Sequence, residues 1–174
     1  MNSQDREAAL YAALDALGIA HRTVEHAATF TAAEGAAVKA GLVGALAKTL
    51  LVTDGAALFL LVATGAGRAD MRAARGVVGA RRRLSFASPE ALMMTLGVRP
   101  GTATPYALMA EGAGAITSVV LDEALFAHEA VWLHPMRNTA STGIAPDDLV
   151  RFCEAQGHPP ILCPLTSAPP DGAA

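Results

Sequence analysis

The chain has 174 residues, which suits one domain, because two domains of half that length would each be small for a self-sufficient core. Hydrophobic residues make up 52% of the chain and its net charge is −3, so the composition argues against a general nucleic-acid-binding protein. No apolar run approaches the roughly 18–20 residues of a membrane span, and the N-terminus lacks the basic and apolar regions of a signal peptide. We therefore expect a cytoplasmic protein.

The first half of the chain alternates between helical and extended patterns. The predicted elements are helices over residues 3–17, 31–40 and 70–77 and strands over residues 21–25, 46–52 and 56–63. Gly18 is typical of a helix end, and Thr31 and Glu34 have the spacing of a capping box. Asp54 and Gly55 separate two apolar runs, which indicates a hairpin.

The second half also mixes helices and strands. Strands are predicted over residues 83–86, 116–121, 130–134 and 161–162, and helices from residue 88 and over residues 122–126 and 146–156. This mixture predicts an α+β fold around a mixed sheet. We expect one domain over residues 1–163 and a disordered, proline-rich tail over residues 164–174.

Neither the cysteines nor the histidines form a metal-binding pattern. Cys153 and Cys163 are too few for a disulfide framework or a zinc site. Cys153 lies on the apolar stripe of the last predicted helix, where we expect a small core residue rather than a nucleophile. The five histidines show neither H-x-x-x-H spacing nor a grouping with carboxylates, so we expect no metal and no other cofactor.

Positive charge is concentrated in one segment. Six of the eleven arginines lie between Arg68 and Arg83, where Asp70 is the only acidic residue. Such a patch could contact a phosphate backbone, although a solvated face explains the charge equally well. Gly65 and Gly67 follow a strand as in a dinucleotide-binding fingerprint, but Asp70 replaces the third glycine, and helix capping by Asp70 explains the segment better.

Lys48, one of only two lysines, lies inside an apolar strand. The two-residue period of a strand places it on the same face as Leu46, Leu50 and Val52. An ammonium group on an apolar face must find a partner, extend to the edge of the face or serve a bound anion. From the residues alone, extension to solvent and a functional role both remain open.

The segment Gly101-Thr102-Ala103-Thr104-Pro105 forms a turn of small residues. Its backbone N–H groups can be approached closely because no bulky side chain shields them. Such donors can hold a carbonyl oxygen or a developing oxyanion. A plain connecting loop is the alternative interpretation.

The segment from His134 to Ser141 follows a predicted strand and is rich in polar groups. It offers an imidazole, the amide of Asn138 and two hydroxyls, a density typical of pocket walls. The alternative is a capped turn in which Asn138 bonds to its own backbone.

In this order, these segments resemble the YbaK/ProX family of trans-acting aminoacyl-tRNA deacylases, which is related to the editing domain inserted in bacterial prolyl-tRNA synthetases. The likeness runs from residue 10 to residue 162. It rests on Lys48 in its strand, RLSFAS at 83–88, GVRPGTATPY at 97–106, VVLD at 119–122 and HPMRNTA at 134–140.

The resemblance implies a largely antiparallel, barrel-like sheet surrounded by helices and a hydrolytic site without a protein nucleophile. Water, assisted by the ribose hydroxyl of the substrate, would attack the aminoacyl ester. The catalytic residues would be Lys48, Gly101 and Asn138. The substrate-binding residues would be Thr102, Ala103, Thr104, Pro105, Tyr106, His134 and Thr139, with Arg81 and Arg82 as candidates for tRNA contact.

The Gly-x-x-x-Pro loop and the His-Pro-x-x-Asn-Thr segment indicate the free-standing ProX branch, which removes alanine from proline tRNA. The expected partners are therefore the acceptor end of a mischarged tRNA and prolyl-tRNA synthetase, with no membrane. Removal of cysteine or another small amino acid is one alternative. A non-catalytic module that binds tRNA or protein is the other.

Overall fold

The computed structural model of the protein describes residues 3–28, 42–65 and 67–166. The strands are β1 Arg22–Glu25, β2 Ala45–Thr53, β3 Leu58–Thr64, β4 Ser85–Phe86, β5 Ile116–Asp122, β6 Val131–Leu133, β7 Ala140–Ile144 and β8 Ile161–Cys163. The α-helices in the described ranges are α1 Ser3–Ala16, α2 Met71–Val78, α3 Pro89–Leu96 and α4 Pro146–Ala155. Within the same ranges, three short 3-10 helices cover Pro105–Met109, Glu111–Ala115 and Glu123–Ala127.

The described strands form one mixed sheet in the order β1-β7-β6-β2-β3-β5-β8, with β4 beside β2. The pairs β1–β7, β2–β3, β2–β4 and β6–β7 are antiparallel, whereas β2–β6, β3–β5 and β5–β8 are parallel. The predicted mixed α+β fold is confirmed. The sheet is open, so the barrel-like expectation does not extend to closure.

Strand β2 changes partners along one of its edges. Its first two residues pair with β6, ending at Leu46, and its last two pair with β4, beginning at Val52. Its other edge is paired with β3 from Ala47 onward. The interval between Leu46 and Val52 therefore lies where the sheet divides, and Lys48 is inside that interval.

Helices cover both faces of the sheet. On one face, α1, α3 and α4 contribute Leu14, Leu96 and Phe152 to the larger apolar cluster. On the other face, Ala74 of α2 packs in a smaller cluster that contains Val52. Burial of apolar side chains on both faces accounts for the long apolar run of β3, whose five central residues are all buried.

Local signals located most elements correctly. Asp70 caps α2 by accepting hydrogen bonds from two amides, and Ser88 caps α3 with a proline in its first turn. Strand β7 was not predicted, and the helix expected over residues 122–126 is a 3-10 helix. The helix expected over residues 31–40 lies outside the described residues.

The domain continues past the predicted boundary at residue 163. Leu165 is fully buried, and Thr166 bridges to Ala69. Cys153 is also fully buried, and burial raises the pKa of its thiol to about 12, as expected for a core residue. None of the described helices combines the length and apolar character needed to cross a membrane.

Candidate functional site

Lys48 is half-buried at the point where the sheet divides. Its ammonium group donates a hydrogen bond to the carbonyl oxygen of Gly67. Burial lowers the pKa of Lys48, and attraction to Asp122 opposes that shift. The side chain is therefore retained beside the sheet rather than extended freely into solvent.

Asp122 is a fully buried carboxylate near Lys48. Burial by itself would raise its pKa, but hydrogen bonds outweigh this effect and lower it, so the group is an anion. The donors are the amides of Thr64, Ala124 and Leu165 and the hydroxyls of Thr64 and Thr166. From the sequence, Asp122 was given no functional role: it was expected to begin a helix, and it appeared only as the last residue of the VVLD segment that carries the resemblance.

His134 follows β6 on the other side of the division. The parallel strands β2 and β6 end their pairing at Leu46 and Trp132. Lys48 and His134 each lie two residues beyond this pair, so they occupy equivalent positions across the division. The Nδ1 of His134 is 2.9 Å from the carbonyl oxygen of Ala140. Because a carbonyl oxygen only accepts, Nδ1 carries the proton and Nε2 is left as an acceptor. Burial lowers the pKa of His134, which favours the neutral imidazole.

A second histidine, His26, joins this end of the sheet. Its ring centroid is 6.0 Å from that of His134, and its Nε2 is 2.9 Å from Oγ of Ser141. The amide of His26 donates to the carbonyl of Thr139. No sequence spacing indicated this approach, because it depends on pairing of β1 with β7.

Arg137 anchors the loop that carries Asn138 and Thr139. Its guanidinium contacts the carboxylates of Glu7, at 2.7 Å, and Glu25, at 2.5 Å, and its Nη1 donates to Oγ1 of Thr139 at 2.9 Å. The preceding Met136 has a φ of 64°, a conformation that costs energy for a non-glycine residue. The side chain of Asn138 is half-buried and makes no hydrogen bond within the described residues.

Burial of the loop increases from the exposed Gly101 to the buried Thr104 and Pro105. The hydroxyl of Thr102 is bonded to the backbone of Arg99, and that of Thr104 accepts from the amide of Tyr106. The amides of Gly101 and Ala103 donate to no described residue. Pro105 is buried where the chain enters a 3-10 helix.

Tyr106 lies in the core rather than on a binding surface. It is fully buried, donates to the carbonyl of Thr142 at 3.2 Å and packs edge to face against Phe152. Its direct contact with a substrate was predicted from the sequence. The structure gives it a packing role behind the loop.

Arg81 and Arg82 are exposed beside the β2–β3 hairpin, at the opposite end of β2 from Ala45. The amide of Arg81 donates to Asp54 at 3.1 Å, and the guanidinium of Arg82 lies over Gly55. The structure therefore places Lys48 and the His134–Thr139 segment near the sheet division and separates the two arginines from them along β2. Across the described ranges, no three His, Cys, Asp or Glu side chains form a possible metal cluster.

The sequence model of the aminoacyl-tRNA editing domain matches residues 26–152. The chain belongs to the YbaK/ProX family of editing domains. The matched range includes Lys48, Asp122 and the whole His134–Thr139 segment. It excludes all of α1, although Glu7 of that helix contacts Arg137 within the matched range.

Curated relatives span nearly the whole editing domain. Prolyl-tRNA synthetase associated domain-containing protein 1 of Bos taurus is 34% identical over 169 residues, covering 93% of this chain and 96% of its own length. Prolyl-tRNA editing protein ProX of Acetoanaerobium sticklandii is 28% identical, covering 88% of this chain and 94% of its own length.

A solved structure supports the fold of the editing domain. It is provisionally described as a trans-editing enzyme for prolyl tRNA synthetase and has a TM-score of 0.73 and 24% identity. The match covers 94% of this chain and 98% of that one. At this identity the similarity establishes the fold alone.

Proposed function

We propose that this editing domain hydrolyses mischarged aminoacyl-tRNA in trans and that Ala-tRNA(Pro) is its substrate. Family membership supports tRNA deacylation in general, and the relative named ProX supports a link to proline tRNA. The observation that carries the proposal is Lys48, an ammonium group held half-buried where the sheet divides. A fixed positive charge suits a phosphate or the carbonyl of an ester.

In the proposed reaction, water adds to the carbonyl carbon of the aminoacyl ester. The carbon–oxygen bond to the ribose then breaks, the ribose oxygen takes a proton, and free alanine and tRNA are released. Lys48 positions the terminal adenosine and its phosphate or the ester, while the amides of Gly101 and Ala103 donate to the carbonyl oxygen. Loss of one such donor typically lowers the rate by about 10²–10³.

No protein nucleophile is needed for this reaction. An ester between an amino acid and a ribose hydroxyl is already activated, so positioning and oxyanion stabilisation suffice. Cys153 is fully buried and its raised pKa keeps it as a thiol. The ribose hydroxyl of the substrate is the proposed assistant of the attacking water.

Side chains around the loop and the His134–Thr139 segment are proposed to exclude large amino acids. His134 bounds the pocket, and Asn138 and Thr139 line it, so that alanine fits and proline does not. One methyl group contributes only about 1–3 kcal/mol of discrimination. We therefore expect some cleavage of glycyl and seryl esters and little cleavage of prolyl esters.

Proposed partners follow from the same reaction. The acceptor end of the tRNA enters at Lys48, and Arg81 and Arg82 contact phosphates farther along the tRNA. Prolyl-tRNA synthetase, which appears in the names of several relatives, is the proposed protein partner. These partners place the proposed activity in the cytoplasm.

The test is a panel of purified Ala-, Cys- and Pro-tRNA(Pro) incubated with the wild-type protein. Preferential release of alanine supports the proposal. Preferential release of cysteine assigns the protein to the alternative deacylase activity, and tight tRNA binding without release of any amino acid assigns it to a binding module. Release of proline at the rate of alanine contradicts the proposed selectivity.

A further inference from the structure

Phe86 is a large aromatic side chain on the surface of the domain. Its exposure is 69%, whereas Phe59, Trp132 and Phe152 are all buried. It lies in β4, a strand of only two residues that joins the sheet beside β2. An exposed aromatic ring presents a flat surface on which a planar ligand can stack.

Phe86 lies on the same face of the sheet as Lys48, the proposed catalytic lysine. Phe86 pairs with Val52, so the two side chains share a face of the sheet. Lys48 is four residues before Val52 on the same strand and on the same face. At about 3.3 Å per residue, the two positions are about 13 Å apart along β2. A few nucleotides of single-stranded RNA can span this distance.

Positively charged residues lie on the side of Phe86 that faces away from Lys48. Arg81, Arg82 and Arg83 are exposed and form no ion pair with a described residue. The nearby carboxylate of Asp54 is occupied by three backbone amides, including that of Arg81. The guanidinium groups therefore remain available to an anionic partner.

We infer that Phe86 stacks on a base of the single-stranded 3′ end of the tRNA, between the terminal adenosine at Lys48 and phosphates at the arginines. This inference rests on the proposed function. A ring next to unpaired arginines is the combination by which proteins hold single-stranded nucleic acid, because the ring contacts a base and the cations contact the backbone. The carboxylates of an acidic protein surface would pair with the arginines but would not stack on the ring.

The experiment is a thermodynamic cycle on binding of uncharged tRNA. Dissociation constants are measured for wild type and Phe86→Ala with an intact tRNA(Pro) and with the same tRNA lacking its terminal CCA. For the intact tRNA, we expect Phe86→Ala to weaken binding about 5-fold to 150-fold, the range for loss of one stacked base. For the truncated tRNA, wild type and variant should bind equally.

Phe86→Trp keeps a planar ring and should retain wild-type affinity for the intact tRNA. Leu162→Ala is the matched control, since Leu162 is also an exposed apolar residue but lies on β8 at the far edge of the sheet. It should bind the intact and the truncated tRNA with wild-type dissociation constants. Thermal unfolding of each variant verifies that the fold is intact.

Equal weakening for both tRNAs, or no weakening for either, would overturn the inference. An unchanged tRNA affinity together with loss of binding to prolyl-tRNA synthetase would also overturn the inference. That result would assign the surface to a protein partner. Because the cycle uses uncharged tRNA, its result is separate from the deacylation test. If the protein does not deacylate tRNA, the binding cycle can therefore still be interpreted.

Discussion

Lys48 and Asp122 lie on one face of the sheet with a single strand between them. Lys48 pairs with Ala63 on β3, and Asp122 is the residue after Leu121, which pairs with Val62 on the same strand. Because the side chain of Ala63 is small, few protein atoms lie between the charged groups of Lys48 and Asp122. Asp122 therefore supports the ammonium form of Lys48 against the cost of burial.

Removing this negative charge should lower the pKa of Lys48 further. Asp122→Asn keeps the approximate shape of the side chain but loses the attraction that opposes burial. The pKa can be followed by NMR of ¹³C-labelled lysine, since Lys39 is the only other lysine and serves as an internal control. An unchanged Lys48 pKa in the variant would show that the two charges do not interact.

Glu7 should stabilise the fold in a pH-dependent manner through Arg137. Burial alone would raise the pKa of Glu7, but hydrogen bonds from Arg137 and Tyr11 outweigh it and place the pKa below 4.5. Because the folded pKa is depressed, the stabilisation is present above pH 4.5 and is lost as the pH falls through the folded value. Glu7→Gln should lower the free energy of unfolding at pH 7 by about 1–2 kcal/mol.

The difference between wild type and Glu7→Gln, measured by urea unfolding, should disappear in strong acid. Glu25→Gln is the control, because Glu25 contacts the same guanidinium from an exposed position and should contribute less. If the difference between wild type and Glu7→Gln is the same at pH 7 and pH 2.5, the charged contact is not its source.

His134 should make the fold less stable in mild acid. Burial lowers its pKa, so the unfolded chain binds a proton more readily than the folded protein does. The free energy of unfolding should therefore decrease as the pH falls below 6.5, until the lower folded pKa is reached. Comparison with His134→Asn between pH 5 and 8 isolates this contribution, and parallel pH profiles for the two proteins would contradict it.

The elements that the sequence predicted are those fixed by local chemistry. Asp54 folds the β2–β3 turn by accepting hydrogen bonds from Ala56 and Ala57, and all of these groups lie within four residues. Asp70 and Ser88 cap their helices in the same local manner. Each feature depends on neighbours in the chain, so residue order alone was sufficient to indicate it.

Features made by distant segments could not be predicted in the same way. Strand β7 consists mainly of small and polar residues, yet it is buried because β1 and β6 flank it. Glu7 and Arg137 are 130 residues apart, and His26 approaches His134 only through this strand pairing. Tyr106 was assigned to the substrate surface through the family resemblance, but its largely apolar ring is buried against Phe152.

Arg81 and Arg82 should contribute to the salt dependence of tRNA binding. Each phosphate contact makes the slope of log K against log [salt] steeper by about 0.7–0.9, where K is the association constant for tRNA. Replacing both arginines with alanine should weaken binding and flatten the slope by about 1.4–1.8. Arg22→Ala, at an exposed position on β1, is the control. An unchanged slope in the double variant would exclude these phosphate contacts.

The most direct test of the proposed activity is single-turnover deacylation of Ala-tRNA(Pro) by wild type and Lys48→Ala, with tRNA affinity measured in parallel. If Lys48 positions the ester, the rate should fall by about 100-fold or more while uncharged tRNA still binds. Lys48→Arg should recover only part of the rate, because a guanidinium has a different shape and donor geometry. Wild-type deacylation rates in Lys48→Ala would contradict the central role of this lysine.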